Sequence, residues 1–262
     1  IDSLKQAIER LEGKTTALDD RVLVNEADLG KLNKIKVSGY IQAEFRNYES
    51  GLVKLNNYDP YSTFLVRRAR IKFTYEAVDG VKIVLQPDFS TGNLTLKDAY
   101  AVVNLKKLKD WSLWAGQMNR PNYEVEYSSS QREVMERSRF IRAIYPGERE
   151  IGAKLEYIGS QVPLKFQFMV MNGNFTGAQP IDVDTKKDIM TRLVYSVKLP
   201  NAGVGIDFGV NGYYGGTRIK TNPFVSTVNP PIVDSVALGT YLDKHWLGGE
   251  VQLFADVLGG LA

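Results

Sequence analysis

Residues 64–75 alternate between apolar and charged side chains, which predicts a β-strand with two different faces. One face carries Leu65, Ala69, Ile71, Phe73 and Tyr75, and the other carries Arg68, Arg70, Lys72 and Thr74. This division indicates a strand of a transmembrane barrel, which separates lipid from lumen. It also fits an amphipathic strand of a soluble antiparallel sheet. Arg67 falls on the apolar side, so we expect it to reach the membrane interface or to mark a bulge.

The same two-residue period recurs along the chain from Lys36 onwards. Besides 36–46 and 64–75, strands are predicted at 81–89, 94–105, 111–118, 150–158, 163–171, 189–199, 203–214, about 235–242, and 246–256. No helical run interrupts these roughly eleven strands, so we expect one antiparallel meander.

The connections between the predicted strands alternate between long and short, with FSTGN as the one short connection among the long ones. In an up-and-down barrel all the long loops then lie at one end. Bacterial outer-membrane barrels place long loops outside and short turns on the periplasmic side. We therefore expect an all-β fold in which residues 36–262 form an antiparallel up-and-down transmembrane β-barrel. Because such barrels use an even number of strands, we expect about 14–18, with the C-terminal strands missing from the sequence.

Residues 1–33 follow a period of seven instead of two. Apolar residues recur in alternating steps of three and four, with Thr15 and Asn25 at two of these positions; the whole seam is Ile1, Leu4, Ile8, Leu11, Thr15, Leu18, Val22, Asn25, Leu29 and Leu32. This seam predicts an α-helical coiled coil that joins identical chains and lies in the periplasm. A helix packed against its own domain and a frayed leader remain alternatives, since Gly13 weakens the helix.

Composition narrows the function classes. The 262 residues include no cysteine, which excludes a disulfide scaffold, thiolate metal sites and a cysteine nucleophile. A net charge of +3 is too small to indicate nucleic-acid binding. We expect no cofactor, no metal site and no enzymatic activity. The single histidine, His245, falls in a predicted turn, as do the Gly-Gly pairs near 215 and 248, and the acidic residues near Asp188 indicate a solvated loop more than a calcium site.

Basic residues on the polar faces of the strands are the candidates for attracting anions in the lumen. They are Arg68, Arg70, Lys72, Lys82, Lys154, Lys165, Arg192 and Lys198. Acidic residues share this face and moderate its charge, so we expect a weakly to moderately anion-selective lumen.

The loop at about 119–149 is too long for a simple connection, which favours a functional segment folded into the lumen. Its candidate constriction residues are Arg120, Arg132, Arg137, Arg139 and Arg142. Acidic residues are nearly as numerous there, so a loop neutralised by its own ion pairs is an equally good interpretation.

Three segments resemble the phosphate-selective porins O and P of the outer membrane of Gram-negative bacteria. They are FLVRRARI, LKDAYAVV and GQMNRPNYEVEYSSSQREVMERS, and the similarity spans about residues 36–160. The resemblance implies a trimeric channel in which basic side chains favour anions. It also implies that the third extracellular loop folds inward to narrow the pore.

Together, these patterns and the resemblance lead us to expect an outer-membrane porin for passive diffusion of small hydrophilic solutes, with a preference for anions such as phosphate and other oxyanions. Its expected partners are two further copies of the chain, the lipid bilayer and small anionic solutes, and no nucleic acid. The alternative is a porin-like barrel that serves as a structural subunit of a larger complex with other outer-membrane proteins.

Overall fold

The computed structural model shows an N-terminal helix followed by a large antiparallel sheet. It describes residues 2–32, 34–49, 61–90, 92, 94–126, 129–131, 136–144, 148–173, 182, 185–199, 203–218, 224–225, 233–234 and 239–255. The helices are α1 (Asp2–Leu32), α2 (Tyr123–Glu126) and α3 (Arg139–Ile144). The strands are β1 (Ile35–Tyr48), β2 (Tyr61–Val78), β3 (Val81–Asp88), β4 (Thr95–Asn104), β5 (Trp111–Asn119), β6 (Arg149–Ile158), β7 (Leu164–Met171), β8 (Asp188–Leu199), β9 (Val204–Arg218), β10 (Phe224–Val225), β11 (Val233–Asp234) and β12 (Tyr241–Ala255).

Ten strands form the main sheet, and nearly all neighbours in the sheet are also neighbours along the chain. The order runs from β1 to β9 and then to β12, while β10 and β11 pair separately. Every pairing in the main sheet is antiparallel. The prediction of an antiparallel up-and-down barrel architecture is thereby confirmed. No described helix combines the length and the hydropathy needed to cross a membrane.

The two faces of the main sheet have opposite environments, as the two-residue period requires. We call the face that carries the buried side chains the inner face, and the opposite one the outer face. Eighteen polar or charged side chains but only ten hydrophobic ones are buried among the described residues. Large apolar side chains of the outer face are exposed, with Phe64 at 83% and Leu247 at 86%. Since each such side chain gains about 2 kcal/mol on leaving water, the outer face is suited to lipid.

Arg67 is the extra residue of a β-bulge. Gln42 on β1 pairs with Arg68, and the next residue, Ala43, pairs with Val66, so Arg67 has no partner across the strands. Of the two roles expected for Arg67, the bulge is confirmed, and the side chain bonds to Glu136.

The region after residue 235 differs from the sequence-based prediction. Of the two strands predicted at 235–242 and 246–256, residues Tyr241 to Ala255 form a single strand, β12, so the predicted turn around His245 is wrong. Residues 235–238 and 256 lie outside the described part of the chain. His245 pairs with Tyr214 of β9, and the two rings stack at 4.4 Å. The Gly-Gly pairs also lie inside strands: at Gly215 an added Cβ would meet the carboxylate of Asp188. Close packing of neighbouring groups, and not a turn, explains Gly215, Gly216 and Gly248, whereas an added Cβ at Gly249 would meet nothing closer than 4.0 Å.

A small hydrophobic core lies on the inner face under the loop between β5 and β6. Val125 of α2 and Ile141 of α3 are buried in a cluster with methionines of three strands. These methionines are Met118, Met169, Met171 and Met190. Unbranched thioether side chains adapt to irregular surfaces, which suits the contact between two short helices and a sheet. The core fixes the loop to the inner face.

Gly116 of β5 lies where any larger side chain would collide with β4. Its φ of 126° is in the region that favours glycine. An added Cβ would lie 2.8 Å from Cα of Tyr100, whose ring packs on Trp114 at 5.0 Å. We therefore predict that Gly116→Val costs about 3 kcal/mol or more and prevents most of the protein from folding. The folded fraction can be measured from the electrophoretic mobility shift on boiling. Ala115→Val, on the exposed outer face, should fold normally, and equal folding of the two variants would contradict this account.

Candidate functional site

The loop that connects β5 to β6 (residues 120–148), called the inner loop below, lies across the inner face. The carbonyl oxygen of Ser129 accepts a hydrogen bond from Nε2 of Gln42 at 2.9 Å, and Oγ of Ser129 lies 3.3 Å from Nη1 of Arg70. At the other edge of the sheet, Nζ of Lys244 donates to the carbonyl of Ile144 at 2.7 Å. The inner loop therefore contacts the first and the last strand of the main sheet.

Glu126 attaches the inner loop to β7 and β8. Its Oε2 lies 2.8 Å from Nζ of Lys165 and 2.6 Å from Nη1 of Arg192, while its Oε1 accepts a bond from Gln167. One carboxylate at the end of α2 thereby neutralises two cations of the strands.

Glu136 forms a second attachment, to β1 and β2. Its carboxylate accepts two bonds from Arg67, at 2.6 and 3.1 Å, in the bidentate geometry typical of strong arginine–carboxylate pairs. Arg68 and Arg46 each lie 3.6 Å from the same carboxylate. The β-bulge matters here, because it adds Arg67 to the arginines that meet Glu136.

The arginines of the inner loop itself are placed differently from one another. Arg120 is fully buried and forms an ion pair with Glu150 at 2.6 Å. Arg137 is buried too, bonds to Glu148, and donates to the carbonyl of Glu124 at 2.9 Å. These two arginines hold the loop in its fold.

The other predicted constriction residues are Arg132, Arg139 and Arg142. Arg139 and Arg142 are exposed on α3. Arg132 lies outside the described residues. A constriction role for the five arginines stays a prediction.

All eight basic residues predicted for the lumen lie on the inner face by strand alternation, but their exposure differs. Arg68, Arg70, Lys154 and Arg192 are buried, and each lies within 4 Å of at least one carboxylate. Lys72 and Lys165 are half-buried. Lys82 and Lys198 are exposed, at the end of the sheet that carries the short turns.

A cavity of about 470 Å³ lies between the inner loop and the strands. Its basic lining residues are Arg70, Lys72, Arg149, Lys154 and Lys165, and its acidic ones are Asp98, Glu126 and Glu156. Positive charge is therefore in excess. Such a cavity suits small anions, because more positive than negative charges project into its polar space.

Two of the cations in this cavity differ in how they are held. The ammonium group of Lys154 lies 3.8 Å above the ring of Trp114 and 3.3 Å from a carboxylate oxygen of Glu156. Lys72, in contrast, forms no ion pair with any residue that the structure describes. Its charge is the one most available to a solute.

Sequence reasoning missed the residues that attach the inner loop. Glu126 and Glu136 appeared only as negative charges that balance the loop arginines, since nothing local reveals partners such as Lys165 or Arg192. Lys244 was missed for a different reason. The alternation of Lys244 with its neighbours along β12 would have placed it on the inner face, had that segment been predicted as one strand.

The positive neighbours of the two loop carboxylates keep both ionised. Burial alone would raise the pKa of Glu126, but the charges of Lys165 and Arg192 outweigh burial, so the pKa lies below its ordinary value of 4.5. At Glu136, burial is likewise outweighed by the hydrogen bond and charge of Arg67 and by the charge of Arg68, which lowers the pKa. Both attachments therefore stay charged at neutral pH.

We predict that Glu126→Gln loosens the inner loop. The change removes two ion pairs at a largely enclosed carboxylate, which should cost about 2 kcal/mol of docking free energy, or about thirtyfold in the population of the open loop. The rate of tryptic cleavage after Arg139 and Arg142 measures this population. Glu124→Gln is the matched control, because among the described residues the Glu124 carboxylate bonds within the loop, to Ser138. Equal cleavage rates in both variants would contradict this role of Glu126.

The lowered pKa values predict an acid-dependent release of the inner loop. Because the folded-state pKa is depressed, the stabilisation is present above the unfolded value of 4.5 and is lost as the pH falls through the folded-state value. A spin label on Arg142→Cys should show an unchanged spectrum from pH 8 to 5 and a mobile component only below about 4.5. In the Glu126→Gln/Glu136→Gln background the mobile component should be present at neutral pH. Release of the wild-type loop near pH 6 would argue against these two carboxylates.

Comparison with known families agrees with this arrangement. The family model for phosphate-selective porin O and P matches residues 35–224, which begin at β1 and include the inner loop. No curated protein matches the sequence. The resemblance in residues 36–160 is confirmed and extends further along the chain. Because the match covers most of the chain, the protein belongs to the phosphate-selective porin O and P family, and this membership points to a channel of the outer membrane.

Proposed function

We propose that the protein is a porin through which small hydrophilic anions, phosphate and other oxyanions among them, diffuse in preference to cations. The cavity under the inner loop carries this proposal, because five basic and three acidic side chains line it. The near balance of charge makes the preference moderate. We also propose that three copies of the chain form the working channel, with the N-terminal segment in the periplasm.

The pairing of the strand cations supports a diffusive channel over a tight binding protein. Most of the inner arginines have carboxylate partners, such as Asp88 for Arg70 at 2.7 Å and Asp98 for Arg149 at 3.0 Å. A paired cation still presents N–H donors but attracts an anion less strongly than an unpaired one. An anion can therefore enter and leave, as conduction requires.

Conductance of the purified full-length protein in a planar bilayer tests the proposal. We expect stepwise openings in groups of three in potassium chloride, and a reduced chloride current when phosphate is added. Openings without phosphate sensitivity would contradict the proposed solute. Silence from folded protein would favour the alternative, a structural subunit of an outer-membrane complex.

We predict that Lys72→Gln weakens phosphate binding in the channel. Removal of one charge near the anion costs about 1 kcal/mol at most in a water-filled space, so the phosphate concentration that halves the chloride current should rise about threefold. Lys109→Gln is the matched control: it removes the same charge from the exposed turn between β4 and β5. An equal change in both variants, or none in either, would show that the charge of Lys72 does not act on the solute.

A further inference from the structure

The seam of α1 is an apolar surface that the described part of the chain leaves uncovered. α1 is one helix of 31 residues. Its seam side chains are exposed wherever the structure describes them, for example Leu4 at 68%, Leu11 at 62% and Leu18 at 57%. Covering each leucine would gain about 2 kcal/mol. A seam in heptad spacing is covered best by another helix with the same spacing.

The charges beside the seam select one direction for that second helix. Lys14 and Arg21 precede their seam residues at heptad position g, whereas Asp19 and Glu26 follow theirs at position e. In a parallel pair, each g residue faces the e residue of the next heptad in the other helix. Lys14 then faces Asp19 of the partner subunit, and Arg21 faces Glu26 of the partner subunit. Both contacts are attractive.

An antiparallel pair brings like charges together instead. When its seam residues are aligned, Lys14 lies beside Arg21 of the partner subunit, and Glu12 lies beside Asp19 of the partner subunit. Each contact occurs twice by symmetry. Like charges at this spacing destabilise helix pairing. The charge pattern therefore favours the parallel arrangement.

The connection to the sheet leads to the same direction. α1 ends at Leu32 and β1 begins at Ile35, so the helix leaves the sheet at the end that carries the short turns. Copies that lie side by side in one membrane extend their helices from the same end. Parallel helices can then meet without a long linker.

We propose that α1 binds the α1 helices of neighbouring copies in a parallel, in-register coiled coil, held in register by the pairs Lys14–Asp19 and Arg21–Glu26 between subunits. This inference rests on the proposed function in one respect: it requires that copies of the chain lie side by side in one membrane. The seam by itself does not select three helices. A β-branched residue such as Ile8, followed by leucine at the next seam position, favours two helices in an isolated coiled coil. The coiled coil determines the direction and register of the α1 helices, and the barrels determine how many copies assemble.

Cysteine cross-linking of the full-length protein in outer membranes tests direction and register. Since the chain has no cysteine, a single substitution reports one position. In a parallel in-register coil, position 11 of one helix lies opposite position 11 of the other. The Leu11→Cys protein should therefore form disulfide-linked dimers in high yield. In an antiparallel coil the two cysteines lie about 16 Å apart along the axis, beyond the roughly 7 Å that a disulfide spans. Arg10→Cys points away from the seam and should give no dimer.

A charge exchange distinguishes specific pairing from simple proximity. In the Leu11→Cys protein, Lys14→Glu should slow cross-linking about threefold, because it faces Asp19 of the partner subunit. Lys14→Glu/Asp19→Lys should restore the rate. An antiparallel coil gives no disulfide in any of these variants, because the two cysteines lie too far apart along the axis. Absence of a Leu11→Cys dimer, or faster cross-linking with Lys14→Glu, overturns the inference.

The two proposals fail separately. If Leu11→Cys protein conducts in groups of three but forms no disulfide, the coiled coil is wrong and the porin stands. If Leu11→Cys cross-links with the predicted charge dependence but the folded protein does not conduct, the coil stands and the proposed transport function is wrong. Folding of every variant is checked by the mobility shift on boiling.

Discussion

Ion pairs between carboxylates of the inner loop and basic side chains of the strands are the interaction on which the rest of the inner face depends. The strands turn their apolar side to lipid, so their cations share the confined space on the other side. Glu126 and Glu136 enter that space and neutralise several of them, including Arg192 and Arg67. Without these carboxylates, the cations would repel one another and the inner loop would lose its ion pairs with Lys165, Arg192 and Arg67.

The apolar and polar contacts of the inner loop have different consequences. Val125 and Ile141 pack on strand methionines, which positions the loop without regard to charge. The carboxylates determine how much positive charge remains for a solute. The cavity keeps more basic than acidic residues, and this excess is the positive charge that remains after the ion pairs form.

Sequence predicted the strands well because a lipid-facing side and a charged side leave a period-two pattern in every strand. It failed between Tyr241 and Ala255, where the residues around His245 and the pair Gly248 and Gly249 resembled turns, although at Gly248 an added Cβ would meet the side chain of Asn211. The inward fold of the loop was expected from the length of the loop and from the family resemblance. The attachments could not be foreseen, since Glu126 and Arg192 are far apart in sequence and no local pattern links them.

The zero-current potential of the wild-type protein in a planar bilayer, across a tenfold gradient of potassium chloride, tests the central claim most directly. If the inner loop neutralises only part of the strand charge, the remaining positive charge should make chloride the more permeant ion. We predict a zero-current potential of the sign that chloride flow produces. A potential of zero, or of the sign that potassium flow produces, would contradict it.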